Sequence, residues 1–75
     1  MSINVLDYRV FVEPLTPGLG GGFVSYAPEL LGCISDGGSP DEALRNIHDA
    51  IASWIDAAQE NGEPVPVPAA VRQYA

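Results

Sequence analysis

Residues 39–62 carry the strongest constraint on what this chain can fold into. Ser39 stands at an N-cap position, Pro40 follows at the first helical position, and Glu42 completes an S-x-x-E capping pattern. A serine hydroxyl there accepts from an orphan backbone N–H, and proline gives up a donor the first turn would leave unused. Leu44, Ile47, Ile51, Trp54, Ile55 and Ala58 then recur at three- and four-residue spacing, the period of one helical face. Asn61-Gly62 supplies a stop. The pattern predicts an amphipathic helix over 40–60. Asp41, Arg45, Asp49, Asp56 and Glu60 fall on its remaining surface, with Arg45 in i±4 reach of Asp41 and Asp49. Such a stripe needs a cover, and the preceding segment must supply it.

That segment reads as strands. Over residues 5–13, Leu6, Tyr8, Val10 and Val12 alternate with Asp7, Arg9 and Glu13, the period of a half-buried strand ended by Pro14. Residues 14–22, rich in Pro and Gly, are a loop. Residues 23–27, Phe-Val-Ser-Tyr-Ala, form a second strand, paired with the first as a hairpin because the loop is too short for a crossover helix. Pro28 takes the chain out of the ladder. Residues 32–36 are a third, shorter strand bounded by Gly37-Gly38. The expected architecture is two-layer α+β: a three- to four-stranded antiparallel sheet covered by one long helix, in the order β-β-β-α. Pro64-Val65-Pro66-Val67-Pro68 should run extended over the surface. Residues 69–75 fit either a short C-terminal strand or a turn. The division is an α+β domain over 1–63 and an extended proline-rich segment over 64–75.

Composition narrows the function. At 75 residues and 47% hydrophobic, the chain is one small domain and too apolar for a disordered tail. A core of this size rarely supplies more than roughly 3–5 kcal/mol. One Cys allows no intrachain disulfide, and one Cys with one His falls short of a structural zinc site. Self-association, as a dimer or higher oligomer, is the expected supplement. The net charge is −7 and there is no lysine. Arg9, Arg45 and Arg72 cannot build a phosphate-binding surface, so direct nucleic-acid binding is not expected. An acidic surface suits a basic protein partner. No apolar run is long enough to span a membrane, and the N-terminus lacks a signal-peptide pattern, so a cytoplasmic protein is expected.

Candidate chemistry is sparse. Gly18, Gly20, Gly21 and Gly22 lead into a strand rather than a helix and have no lysine nearby, so they read as a hairpin loop, not a phosphate loop. Cys33 and His48 could meet as nucleophile and base, but no orienting group or oxyanion hole accompanies them; a buried Cys and a boundary His are expected. Asp41 and Glu42 belong to the helix start, and Asp49, Asp56 and Glu60 to a solvated face. Asp7 and Glu13 fall on the polar face of the first strand, and Asp36 reads as a turn residue. No spacing suggests a metal or a cofactor. Trp54 belongs to the core stripe; Tyr26, Tyr74 and the extended proline segment 64–68 are candidate partner contacts.

The order of features carries a resemblance. A Gly-rich loop precedes Phe23-Val24-Ser25-Tyr26-Ala27, then Pro28-Glu29-Leu30-Leu31-Gly32-Cys33. Asp36-Gly37-Gly38-Ser39-Pro40-Asp41-Glu42-Ala43 opens the helix, and Asn61-Gly62-Glu63-Pro64-Val65-Pro66-Val67-Pro68 follows it. Over residues 8–68 this resembles the HicB-like antitoxin family, with its aromatic strand, P-[DE]-L-x-G-C segment, long helix and G-x-x-[IVL]-P-x-P exit.

The resemblance implies a helix packed on an antiparallel sheet and a non-enzymatic protein. Its partner would be a HicA-like toxin, a small basic ribonuclease whose active site it covers. Many members add a C-terminal helix-turn-helix or ribbon-helix-helix domain; the chain ends soon after its prolines, so a short form is expected. The leading expectation is therefore an antitoxin. The alternatives are a homo-oligomeric scaffold or regulatory module without a toxin and, from another class, a small hydrolase using Cys33 and His48.

Overall fold

The computed structural model describes residues 4–68. Its sheet has three strands, β1 (Phe11–Pro14), β2 (Phe23–Tyr26) and β3 (Ile34–Gly37), in the order β1-β2-β3 with both pairings antiparallel. One helix, α1 (Pro40–Glu60), follows and packs on one side. The two-layer β-β-β-α reading therefore holds. Residues 69–75, where a short strand or turn was expected, lie outside the described residues, as does Tyr74.

Hydrogen bonding explains the strand details. The Leu15 N–H donates to the Gly22 carbonyl at 2.8 Å. By antiparallel alternation, Glu13 and Phe11 exchange backbone bonds with Val24 and Tyr26, while Val12 and Pro14 turn their backbone groups away from β2. Pro14, without an N–H, thus ends β1 without breaking a ladder bond. On the other side, Ala27 N–H donates to the Cys33 carbonyl, which turns the Asp36 carbonyl toward the free edge of β3. The Asn46 side-chain amide donates to that carbonyl at 2.8 Å, so α1 blunts the edge it crosses.

The first strand is shorter than its alternation suggests. Val5–Asp7 form a 3-10 turn, with the Asn4 side chain accepting from the Leu6 N–H at 2.9 Å. Leu6 is exposed as a result, whereas Tyr8 is buried and Val10 and Val12 are half-buried. A local Asx-type cap here outweighs the period-2 pattern.

Helix α1 begins and ends where its signals stand. Ser39 Oγ accepts from the Glu42 N–H at 3.1 Å. The Glu42 carboxylate reaches one residue further back than the usual box, to the Gly38 N–H at 2.7 Å. At the far end, Gly62 takes φ +69°, and the N–H groups of Gly62 and Glu63 donate to the carbonyls of Gln59 and Ala58. This is a Schellman motif, and its left-handed residue favours glycine.

The buried face of α1 is Ala43, Ile47, Ile51, Ile55 and Ala58. Leu44, placed on the stripe by spacing, is instead 37% exposed. Gly37 gives the reason. A Cβ there would stand 2.5 Å from the Ala43 nitrogen and 2.9 Å from the Glu42 carbonyl carbon. The first turn lies directly on the sheet backbone, so the small Ala43 faces inward and Leu44 rotates out. Ser25 completes the junction: wholly buried in the middle of β2, it donates its hydroxyl to the Ala43 carbonyl at 2.8 Å. Tyr8, Ala27, Leu30 and Cys33 join Ile47, Ile51 and Ile55 in the core, with Val10, Trp54 and Val65 packed at its margin. The extended 63–68 segment is tied across the domain by the Tyr8 hydroxyl, which donates to the Pro66 carbonyl at 2.6 Å.

Candidate functional site

The helix covers one face of the sheet, and strand periodicity settles what lies on the other. Ser25 points at α1, so its cross-strand partners Val12 and Ser35 point the same way. The opposite face carries Phe11 and Glu13 from β1, Val24 and Tyr26 from β2, and Ile34 and Asp36 from β3. Register arranges them in two rows. Phe11, Tyr26 and Ile34 lie side by side across the strands; Glu13, Val24 and Asp36 form the next row.

No described element covers this face. Ile34 is 64% exposed and Phe11 43%. The Phe11 and Tyr26 rings stack with centroids 5.3 Å apart and planes 22° from parallel. The Tyr26 hydroxyl donates to the Glu13 carboxylate at 3.3 Å, anchoring the carboxylate to the face. Desolvation, then the charge of Glu13 and its hydrogen bond, hold the Tyr26 phenol above its ordinary pKa.

The apolar row continues into the connection between β2 and β3. Residues 27–33 make two successive turns, closed by Leu30 N–H to the Ala27 carbonyl and Cys33 N–H to the Leu30 carbonyl. Leu30 is driven into the core, and Gly32 takes φ +76°. Leu31 is left 92% exposed at the tip. The Trp54 indole N–H donates to the Leu31 carbonyl at 2.9 Å, fixing the tip against α1. Glu29 accepts from the Arg9 backbone N–H at 2.8 Å and its guanidinium at 3.4 Å. Within the P-E-L-x-G-C segment, Glu29, Leu30, Leu31, Gly32 and Cys33 thus each have a structural task. Between Tyr26, Pro28, Leu31 and Ile34 lies a shallow, largely apolar cleft of about 200 Å³.

The other sequence candidates separate. Cys33 stands just before β3 and is buried, and burial pushes its thiol pKa up, the reverse of what activates a nucleophile. His48 is half-buried on α1, and no hydrogen bond joins it to Cys33. The glycine run precedes β2. Asp36 is a strand residue on the open face rather than a turn residue, and Asp7 lies in the 3-10 turn. Arg45 makes no ion pair with Asp41 or Asp49 among the described residues; the pair formed there is Arg9–Glu29. Among the described residues no group of three or more His, Cys, Asp or Glu is placed to hold a metal ion. No described helix is long and apolar enough to cross a membrane. Sequence reasoning singled out Tyr26 on this face but not Phe11 and Ile34, whose signal is apolar residues on both parities of short strands.

The fold is a small α+β module with one sheet face left open. The family model for the HicB-like antitoxin of bacterial toxin–antitoxin systems matches residues 8–75, and the chain belongs to this family. A UPF0150 protein of Synechocystis is 36% identical over 63 residues, covering 84% of this chain and 76% of its own length. A second Synechocystis UPF0150 protein is 28% identical over 61 residues, covering 81% and 80% respectively. A Helicobacter pylori UPF0150 protein is 47% identical over 34 residues, covering 45% and 47%. No solved structure matches the chain.

Proposed function

We propose that this protein is an antitoxin that neutralises a basic, HicA-like mRNA interferase by binding it and covering its active site. The observation that carries the reading is an uncovered apolar sheet face bearing carboxylates, on a family member with net charge −7 and no lysine. Opposite charge speeds encounter with a basic ribonuclease, and the apolar contact supplies affinity. The chain acts without chemistry of its own: its lone cysteine is buried with a raised pKa. It works in the cytoplasm, as a dimer or higher oligomer, and leaves RNA contact to the toxin, since its few arginines cannot hold a phosphate backbone.

Co-expression tests this. Cells producing a HicA-like toxin should stop growing, and growth should return when this chain is produced with it. A toxin that arrests growth equally with and without the chain would overturn the reading and put the scaffold alternative ahead.

A further inference from the structure

We infer that the uncovered sheet face, with Phe11, Tyr26 and Ile34 at its centre and Leu31 at its end, is the surface that seats the cationic toxin. The inference rests on the antitoxin reading and adds to it the surface, its anchors and the charges beside them. Three observations select this face. The first is exposure: Ile34 and Leu31 are 64% and 92% exposed beside the stacked Phe11–Tyr26 pair. Register makes the central three one continuous row instead of scattered surface residues.

The second observation is charge. Glu13 and Asp36 flank Val24 in the row beside the apolar one, and the six strand positions of this face include no basic residue. The neighbouring cation, Arg9, is engaged by Glu29. A second copy seated face to face would offer Glu13 and Asp36 no cation from the same six positions, and desolvating unpaired carboxylates costs free energy. A partner with lysine or arginine around an apolar patch satisfies both rows. By contrast, the outward side of α1 offers Asp49, Asp56 and Glu60 without a comparable apolar row, which suits steering at a distance.

The third is rigidity. β2 is the central strand, and Ser25 locks it to α1. The Leu31 tip is held by Trp54, and Glu13 by Tyr26. A face already fixed in place loses little conformational freedom on binding.

The test measures binding of this chain to a catalytically inactive HicA-like protein, with circular dichroism and light scattering on every variant. Phe11→Ala, Leu31→Ala and Ile34→Lys alter exposed side chains and should leave the fold intact. Each should weaken binding on the order of tenfold or more, chiefly through faster dissociation. Glu13→Lys with Asp36→Lys should slow association on the order of tenfold and flatten its salt dependence. Asp49→Lys with Asp56→Lys makes the same charge change off the face and should slow association far less. Face variants that fold and bind as tightly as the parent would overturn the surface while leaving the antitoxin reading standing. Face variants that keep the toxin but lose self-association would assign the face to a second copy and also overturn it. A parent chain that binds no HicA-like protein would sink both.

Discussion

Replacing Gly37 with alanine should remove much of this protein's stability, while the same change one residue later should do almost nothing. At Gly37 the added Cβ would stand 2.5 Å from the Ala43 nitrogen, 2.9 Å from the Glu42 carbonyl carbon and 3.0 Å from the Ala43 Cα. All three are backbone atoms, so no side chain can swing away. The helix start must lift by several tenths of an ångström. Overpacking of this kind costs about 1–3 kcal/mol. Lifting the turn also stretches the bond from the buried Ser25 hydroxyl to the Ala43 carbonyl, and an unsatisfied buried hydroxyl costs about 1–3 kcal/mol more. At Gly38 the added Cβ meets only the end of the Glu42 side chain, at 3.7 Å. Both substitutions gain about the same 0.4–1 kcal/mol from a stiffer unfolded chain. Their difference therefore isolates the clash, at about 2–6 kcal/mol. Against a core that rarely supplies more than roughly 3–5 kcal/mol, Gly37→Ala should lose much of its stability. Urea denaturation followed by Trp54 fluorescence measures both variants. Midpoints for Gly37→Ala and Gly38→Ala lying together would refute the close approach of α1 to the sheet.

Other expectations follow from the same contacts. Ser39→Ala should cost about 0.5–2 kcal/mol and Ile51→Ala about 2–5, whereas Leu44→Ala, on the exposed side, should cost less than Ile51→Ala; equal urea midpoints for the two apolar variants would move the buried stripe. Tyr8→Phe should cost about 0.5–1.5 kcal/mol by removing the bond to the Pro66 carbonyl, read as a lower urea midpoint than the parent's. Cys33 is held protonated by burial, so the folded state binds its proton more tightly than the unfolded state does. Its contribution is complete below the unfolded thiol's ordinary pKa of 9.0 and is lost as pH rises through the higher folded value. Stability should therefore fall in alkali, less steeply in Cys33→Ala; rapid, stoichiometric labelling of native Cys33 at neutral pH would contradict this and revive the hydrolase alternative.

The helix could be placed from sequence because its signals are local. Ser39, Pro40, Asn61 and Gly62 act on backbone groups within one turn of themselves, and no distant residue changes what they do. The hairpin and the third strand were legible for a similar reason: Pro14, Pro28 and the glycine run interrupt the chain wherever they occur. The start of β1 was harder. Leu6 fits the alternation of Tyr8, Val10 and Val12, but Asn4 caps a 3-10 turn at Val5–Asp7. Two local preferences competed there, and packing of Tyr8 and Val5 on the core was absent from either pattern.

By itself, then, the sequence determined the element order, the helix limits, the acidic character of the surface and the family. Each of these depends on composition or on residues a few positions apart. Tertiary structure alone decided which residue of α1's first turn is buried, because a large Leu44 outweighs a small Ala43 in any hydrophobic count until the contact of Gly37 with that turn is known. It also decided the candidate site. Phe11, Tyr26, Ile34 and Leu31 lie in three strands and a turn, and nothing in their spacing brings them together. They become one surface through the β1-β2-β3 register, and that surface stays open because the one α-helix among the described residues is committed to the other side of the sheet.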